Sequence, residues 1–361
     1  MRSLTINVAR IQSSSSLWVG RGLLERIPTL IDLERYSSVV VVADSGASAA
    51  LKRLTETLKT PNARILVLEG GERMKDSTGL QGVWEFFVAQ RLDRRSLVIT
   101  LGGGALSDLV GFAAATYMRG IAFMHLPTTL LAQVDAGIGG KSGINFMGVK
   151  NLLGSIMQPI GIVVDIDTLA TLPARELRSG FAEIIKHGLI ADAAYFERVT
   201  ARAYSAHSPD QLVDIILRSC EIKKDIVEAD ETEQGVRKTL NFGHTIGHAI
   251  ESYAISNKIS LTHGEAISIG MLAESFISYK IAKITEATYL QIKHGITQAG
   301  LPTELPIKIP VADLRTALAR DKKNVGNEIK WVLIDRIGKA SFDLTVPEEL
   351  VQEALVLIQP T

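Results

Sequence analysis

The sequence predicts an α/β protein: a Rossmann-like parallel-sheet domain over residues 1–171, followed by a mainly α-helical domain over 172–361. Three observations carry that prediction. Short β-branched runs alternate with amphipathic helical stretches through the first hundred residues, the pattern of a parallel sheet with helices on both faces. The third run passes directly into Gly102-Gly103-Gly104-Ala105-Leu106-Ser107-Asp108 and a helical pattern. From about Leu172-Pro173-Ala174-Arg175 onward, long helical periods replace the strand pattern.

Taken in order, Ser38-Val39-Val40-Val41-Val42-Ala43-Asp44 ends in an acid and then Ser45-Gly46, the shape of a buried parallel strand. Residues around 47–59 follow as an amphipathic helix. A second strand covers 63–69, closed by Gly70-Gly71-Glu72; a helix spans about 78–90, and 96–101 is the third strand. Glycines between a strand end and a helix start let backbone N–H groups approach an anion, and the helix N-terminus adds about half a positive charge. The run departs from Gly-x-Gly-x-x-Gly, and a tight turn is the competing reading. Asp44, at a strand tip, is placed to accept from ribose hydroxyls, or simply to cap the helix that follows.

Next comes a stretch dense in polar groups held between glycines: 117–120, 127–135, 139–145 and 148–154. Its lysines and arginine, backed by backbone amides, suit phosphate or carboxylate.

Asn241-Phe242-Gly243-His244-Thr245-Ile246-Gly247-His248-Ala249-Ile250-Glu251 reads as a helix with Ile246, Ala249 and Ile250 on one stripe. His244 and His248, four residues apart, project from one face. His263 follows in Leu261-Thr262-His263-Gly264-Glu265, and Glu183 lies upstream in an otherwise apolar helix, 181–187. Two imidazoles and one carboxylate make a three-ligand zinc site with an open fourth position. Satisfied core histidines or a solvated helix face are the plainer alternatives. Yet a lone buried glutamate is costly unless paired or bound to a cation. Lys186, Lys223, Arg237 and Asn241 share this domain, as does the run Asp321-Lys322-Lys323-Asn324, followed by a predicted hairpin over 329–334 and 338–342. Nucleotide loops in one domain and metal ligands in the other place the active site in the cleft between them.

Composition narrows the classes. The chain has 361 residues, 46% hydrophobic and 22% charged, enough for two domains and a sizeable core. Zero formal net charge leaves no electrostatic footprint for nucleic acid. Cys220 is the single cysteine, which excludes an internal disulfide and fits a reducing compartment. No apolar run reaches membrane-spanning length and no signal-peptide core is evident, so a cytoplasmic location is expected.

Six stretches together carry a family resemblance: GGGALSDLVGFAAATYMRG (102–120), LPTTLLAQVDAGIGGKSGIN (126–145), KNLLGSIMQP (150–159), FAEIIKHGLI (181–190), RKTLNFGHTIGHAIE (237–251) and LTHGEAISIGM (261–271). With them the chain resembles the 3-dehydroquinate synthase family of sugar-phosphate cyclases over nearly its whole length. The resemblance implies zinc (or cobalt) on Glu183, His244 and His263, and it makes His248 a substrate-contacting, proton-shuttling residue rather than a ligand. It implies NAD along Asp44, Glu72, Lys75, Gly103, Gly104, Asp108, Thr128, Thr129, Lys141, Lys150, Thr168, Thr171 and Leu172. Substrate would meet Asp135, Lys141, Asn151, Lys186, Lys223, Arg237, Asn241, His248 and one or both of Lys322 and Lys323. A homodimer is implied too, with Arg119 reaching the phosphate of the neighbouring site. Ser142 stands where threonine is common in the family. Phe146-Met147-Gly148-Val149 replaces the usual polar-Pro-Leu-Gly, which alters the expected setting of Lys150.

The implied reaction starts from 3-deoxy-D-arabino-heptulosonate 7-phosphate. Transient oxidation at C5 by NAD acidifies C6–H, and phosphate leaves by β-elimination. Re-reduction, ring opening and an internal aldol closure then give 3-dehydroquinate. A sister cyclase, an NAD-dependent polyol dehydrogenase and a non-catalytic zinc protein are the competing readings. The Lys223–Arg237–Asn241 set argues for a substrate carboxylate, and the scarcity of cysteine argues against a structural zinc site.

Overall fold

The computed structural model describes residues 14–59, 64–319 and 329–360. Its first half contains β1 (Ser16–Gly20), α1 (Ile27–Leu30), β2 (Val39–Asp44), α2 (Ser48–Leu58), β3 (Arg64–Leu68), α3 (Ser77–Ala89), β4 (Leu97–Gly102), α4 (Gly104–Thr116), β5 (Ala122–Pro127), the hairpin β6 (Lys141–Phe146) and β7 (Val149–Ile156), and β8 (Gly161–Asp165). Six of these strands form one parallel sheet in the order β1-β8-β5-β4-β2-β3.

The all-apolar reading of β2 follows from burial on both faces. Its period of two sends Val39, Val41 and Ala43 into one core with Leu54 and Leu58 of α2. Val40 and Val42 enter the other, with Val83 and Phe87 of α3 and Leu106 and Val110 of α4. The chain runs from β2 outward to β3 and returns on the opposite side of β2 as β4. The carboxyl ends of β2 and β4 therefore flank a topological switch point, where open α/β sheets bind their ligands. Asp44 and Gly102 are the residues at those two ends.

Among the described residues, the remainder is helical except for one hairpin: α5 (Ala174–Ala191), α6 (Ala193–Thr200), α7 (Pro209–Ala229), α8 (His244–Ser256), α9 (His263–Lys280), α10 (Glu286–Gln298), α11 (Val311–Ala319), β9 (Trp331–Arg336), β10 (Lys339–Leu344) and α12 (Glu348–Leu357). α9 is buried nearly all round, with Ile267, Met271 and Leu272 in one core and Ala266, Ile269, Ala273 and Ile277 in another. The first of those cores also takes Ile162 and Val164 of β8 and Phe181, Ile184, Ile185 and Leu189 of α5, so the sheet and the helices share packing. Among the described residues, no helix is long and apolar enough to cross a membrane.

The three strands read from the sequence, the helices around 47–59 and 78–90 and the late hairpin all form, with ends shifted by at most two residues. The helix expected over 241–251 begins at His244, after a turn of 3-10 helix over Val236–Asn241. Hairpin β6–β7 forms where the sequence showed only glycine-punctuated polar clusters.

Candidate active site

The centre is built by three helices meeting at glycines. Gly264 on α9 lies against the backbone of Ser179 on α5, and its N–H donates to Ser179 Oγ at 2.9 Å. That contact sets His263 beside Glu183, one turn further along α5. Thr262 and Glu265 form a capping box at the start of α9, and Arg175 clamps Glu265 with bonds of 2.9 and 2.7 Å while Arg178 adds a third at 2.9 Å. α8 reaches α9 just as closely. A Cβ on Gly243 would sit 2.5 Å from Met271 Cγ, and one on Gly247 would sit 2.7 Å from Ile267 Cδ1.

His244 Nε2 and His263 Nε2 both face Glu183 Oε1, at 3.6 and 3.4 Å. One donor atom from each of the three residues lies within 4.8 Å of the others. The opposite ring nitrogens face oxygens: His244 Nδ1 donates to the Phe242 carbonyl at 3.1 Å, which fixes that tautomer, and His263 Nδ1 lies 3.6 Å from Glu251 Oε2. Both Nε2 atoms thus face Glu183, and an oxygen behind each ring is the usual outer support of a metal-binding imidazole. Neither oxygen of the fully buried Glu183 accepts a well-formed hydrogen bond, although Lys186 Nζ forms an ion pair with Oε2. Burial would push the Glu183 carboxyl upward, but Lys186 and His244 outweigh it and hold the group well below the usual carboxylate range. Burial, with Lys186, keeps His244 neutral. Burial also works against charge on His263, yet Glu183 and Glu251 together raise it to about 10. The two-nitrogen, one-oxygen donor set fits zinc or cobalt. His248, whose ring lies 5.1 Å from that of His244 and 6.3 Å from that of His263, stands beside the trio and outside it. The ligand pair suggested by four-residue spacing thus gives way to His244 with His263.

A buried cationic cluster adjoins the trio. Lys186, Lys223 and Arg237 are all buried. Asp135, on a single π-helical turn over Ala132–Ala136, pairs with Lys223 through Oδ1 and lies 4.0 Å from Lys186 through Oδ2. Burial would raise the Asp135 carboxyl, but the two lysines hold it far below its ordinary value. The Arg237 guanidinium bonds two backbone carbonyls, Glu231 at 2.5 Å and Gly139 at 3.2 Å, and forms no ion pair with a carboxylate among the described residues. A buried guanidinium so placed offers its charge to an incoming anion. Glu233, in the left-handed region with φ 61°, joins Lys141 to Asn241, the latter at 2.5 Å.

On the sheet side, Asp44 does cap the following turn, accepting from Gly46 N at 2.8 Å. A Cβ on Gly102 would meet Asp44 Cβ at 2.8 Å, so β4 passes directly against this acid. Gly103 opens α4 with no side-chain cap, and Thr129 packs against it. Thr128 N donates to Gly102 O at 2.9 Å. Lys75 pairs with Asp108 and Asn151 and lies 3.9 Å from Glu72, which accepts from Asn145 at 2.9 Å. Gly104 is equally confined, since a Cβ there would lie 2.7 Å from Ala136 Cβ. The Thr168 hydroxyl donates to Asp165 O at 2.7 Å and accepts from Gln133 at 3.1 Å, while Thr171 bonds back to Thr168 O and Leu172 N to Leu169 O. Lys150, on β7, reaches Glu251 of α8 at 3.0 Å. Arg119 lies apart, exposed on a turn with φ 68° after α4. Lys322 and Lys323 lie outside the described residues.

Sequence reasoning missed Glu233, Glu251 and Gln133. Glu251 carried a signal, since it falls seven residues after His244 and three after His248 on the same helical face. The other two carried none.

A family model described as 3-dehydroquinate synthase N-terminal matches residues 65–179, and one described as 3-dehydroquinate synthase C-terminal matches 180–324. The 3-dehydroquinate synthase of Nitrosomonas europaea is 42% identical over 347 residues, covering 95% of this chain and 93% of that protein. Among solved structures, 2-epi-5-epi-valiolone synthase from Streptomyces hygroscopicus with NAD+ and Zn2+ bound superposes with a TM-score of 0.87 at 28% identity, covering 98% of this chain and 99% of that one. A 2-deoxy-scyllo-inosose synthase complexed with carbaglucose-6-phosphate, NAD+ and Co2+ gives 0.85 at 26% identity, covering 94% and 95%. Two family matches that meet end to end, and a relative alike over nearly its full length, agree with the trio and its cationic neighbour: the chain belongs to the 3-dehydroquinate synthase family.

Proposed function

We propose that this protein acts as a 3-dehydroquinate synthase, a carbon–oxygen lyase that eliminates phosphate from 3-deoxy-D-arabino-heptulosonate 7-phosphate and closes the ring of 3-dehydroquinate. The observation that carries the reading is the Glu183–His244–His263 trio set beside a buried cationic group in which the Arg237 guanidinium, among the described residues, bonds backbone carbonyls and no carboxylate. NAD, when bound, would accept and return a hydride, and zinc or cobalt would polarise the substrate hydroxyl at that carbon. The two similar cyclases carry NAD+ with Zn2+ or Co2+, which supports the same pair here.

Each residue then has work suited to its setting. Glu183, His244 and His263 would hold the cation. Arg237, Lys223, Lys141 and Asn241 would bind the anionic ends of the substrate, with Asp135 keeping Lys223 and Lys186 charged and aimed. Lys186 and His248, next to the trio, would transfer protons at substrate hydroxyls. Asp44, the amides of Gly103 and Gly104, and the Glu72–Lys75–Asp108 group would line the nucleotide, with Thr128, Thr129, Thr168, Thr171, Leu172 and Lys150 around it. Asn151 would meet the substrate. On this reading, residues 1–171 serve the nucleotide and 172–361 the metal and substrate. Exposed Arg119, together with the exposed Leu152, Leu153 and Ile156 of hairpin β6–β7, supports a homodimer in which Arg119 completes the neighbouring site. The lone, buried Cys220 fits a cytoplasmic setting.

The test is turnover with zinc, trace NAD and the heptulosonate phosphate. Phosphate and carbocycle should appear in equal amounts without net NADH. NADH rising with substrate would instead mark a polyol dehydrogenase. Equal turnover of a sugar phosphate lacking the carboxylate would mark a sister cyclase.

A further inference from the structure

A capping box normally satisfies two backbone donors at a helix start: the N–H of the N-cap residue and the N–H three residues on. In α8 these belong to Gly243 and Ile246. Gly243 has no side chain with which to cap, and cannot gain one cheaply: its φ is 79° and a Cβ would lie 2.5 Å from Met271 Cγ. Both donors are instead taken by one carboxylate from the neighbouring helix. Glu274 of α9, fully buried, accepts from Gly243 N through Oε2 at 2.6 Å and from Ile246 N through Oε1 at 3.1 Å. His244, the first residue of α8, lies between the two bonded amides, and its Nε2 is the atom that faces Glu183.

We infer that Glu274 is a positioning residue that sets His244 for the cation through the first turn of α8. The inference rests on the metal centre proposed above. A helix start left without those two bonds would fray by about a turn, and His244 sits on that turn. Outer supports of metal ligands typically govern affinity by about 10–100-fold.

Metal-free wild type and Glu274→Gln are titrated with Zn2+ against a chromophoric chelator, and each is titrated separately with NAD. Glutamine keeps the shape but offers one acceptor oxygen, and turns an amide donor toward the other N–H. Zinc affinity should fall about 10–100-fold, with NAD affinity within about twofold of wild type. Zinc affinity within about twofold of wild type would overturn the inference; so would a parallel loss of zinc and NAD binding, which marks a general structural role. Wild type that takes up no zinc would overturn the metal centre and this inference with it. If the variant does not fold, hydrogen exchange on wild type decides. Coupling is reciprocal, so zinc should slow exchange at the Gly243 and Ile246 amides while leaving α4 unchanged. Equal exchange with and without zinc would overturn the assignment.

Discussion

Lys150 and Glu251 join the two halves of the site: the ammonium of a hairpin residue on the sheet side stands 3.0 Å from a carboxylate of α8 that also faces His263. Asn151, the next residue, turns the other way to Lys75. Successive residues on β7 therefore touch Glu251, which faces His263, and Lys75, which is proposed to line the nucleotide. Lys150 is 40% exposed, so the pair itself contributes little to stability. Its partner matters more. Glu251→Gln should weaken zinc binding by about 10–100-fold, measured by chelator competition, while Lys150→Ala should shift zinc affinity by less than about threefold.

Glu183→Gln should remove turnover, by more than about 100-fold, because the variant replaces the only anionic ligand of the trio. NAD affinity, measured by fluorescence titration, should stay close to wild type, since among the described residues Glu183 pairs with Lys186, His244 and His263, none of them proposed to line the nucleotide. Full activity in this variant would take Glu183 out of the metal site.

Arg237→Ala should cost about 2–5 kcal/mol of substrate binding, the usual range for removing one member of a buried charge pair. A decarboxylated analogue should lose much less, if Arg237 reads the carboxylate. Equal losses for both ligands would assign the arginine to another anion or to the fold.

His125 supplies a pH prediction away from the metal. Burial lowers this histidine to about 4, and its Nδ1 lies 2.7 Å from Thr100 Oγ1. In the unfolded chain it titrates near 6.5. Between those values the unfolded state binds the extra proton, so stability rises with pH. The contribution is complete above about 6.5 and is lost as pH falls toward 4, to a limit of about 3 kcal/mol. Urea midpoints at pH 5 and 7.5 should differ less in His125→Gln than in wild type.

The sequence made strands β2 to β4 legible because a strand covered on both faces must be a continuous apolar run, and no other local structure explains Val39–Val42 before Asp44. Glu183 was legible for a related reason: a carboxylate amid buried isoleucines needs a cation. Hairpin β6–β7 was not, since its polar and glycine residues are fixed by Glu72, Lys75 and Glu251, all distant in sequence. Spacing alone favoured His248 over His263, because a four-residue interval shows in one helix whereas convergence of two helices does not. Glu233 and Glu274 act only through tertiary approach, which leaves no periodic trace.

Gly270 of α9 lies against the backbone of Gly243 and Gly247, with a Cβ there only 2.8 Å from Gly247 N. A seam this tight cannot admit a methyl group, and it leaves the two histidine-bearing helices no freedom to slide past each other. A larger residue at Gly270 would force α8 away from α9, and with it His244 away from His263.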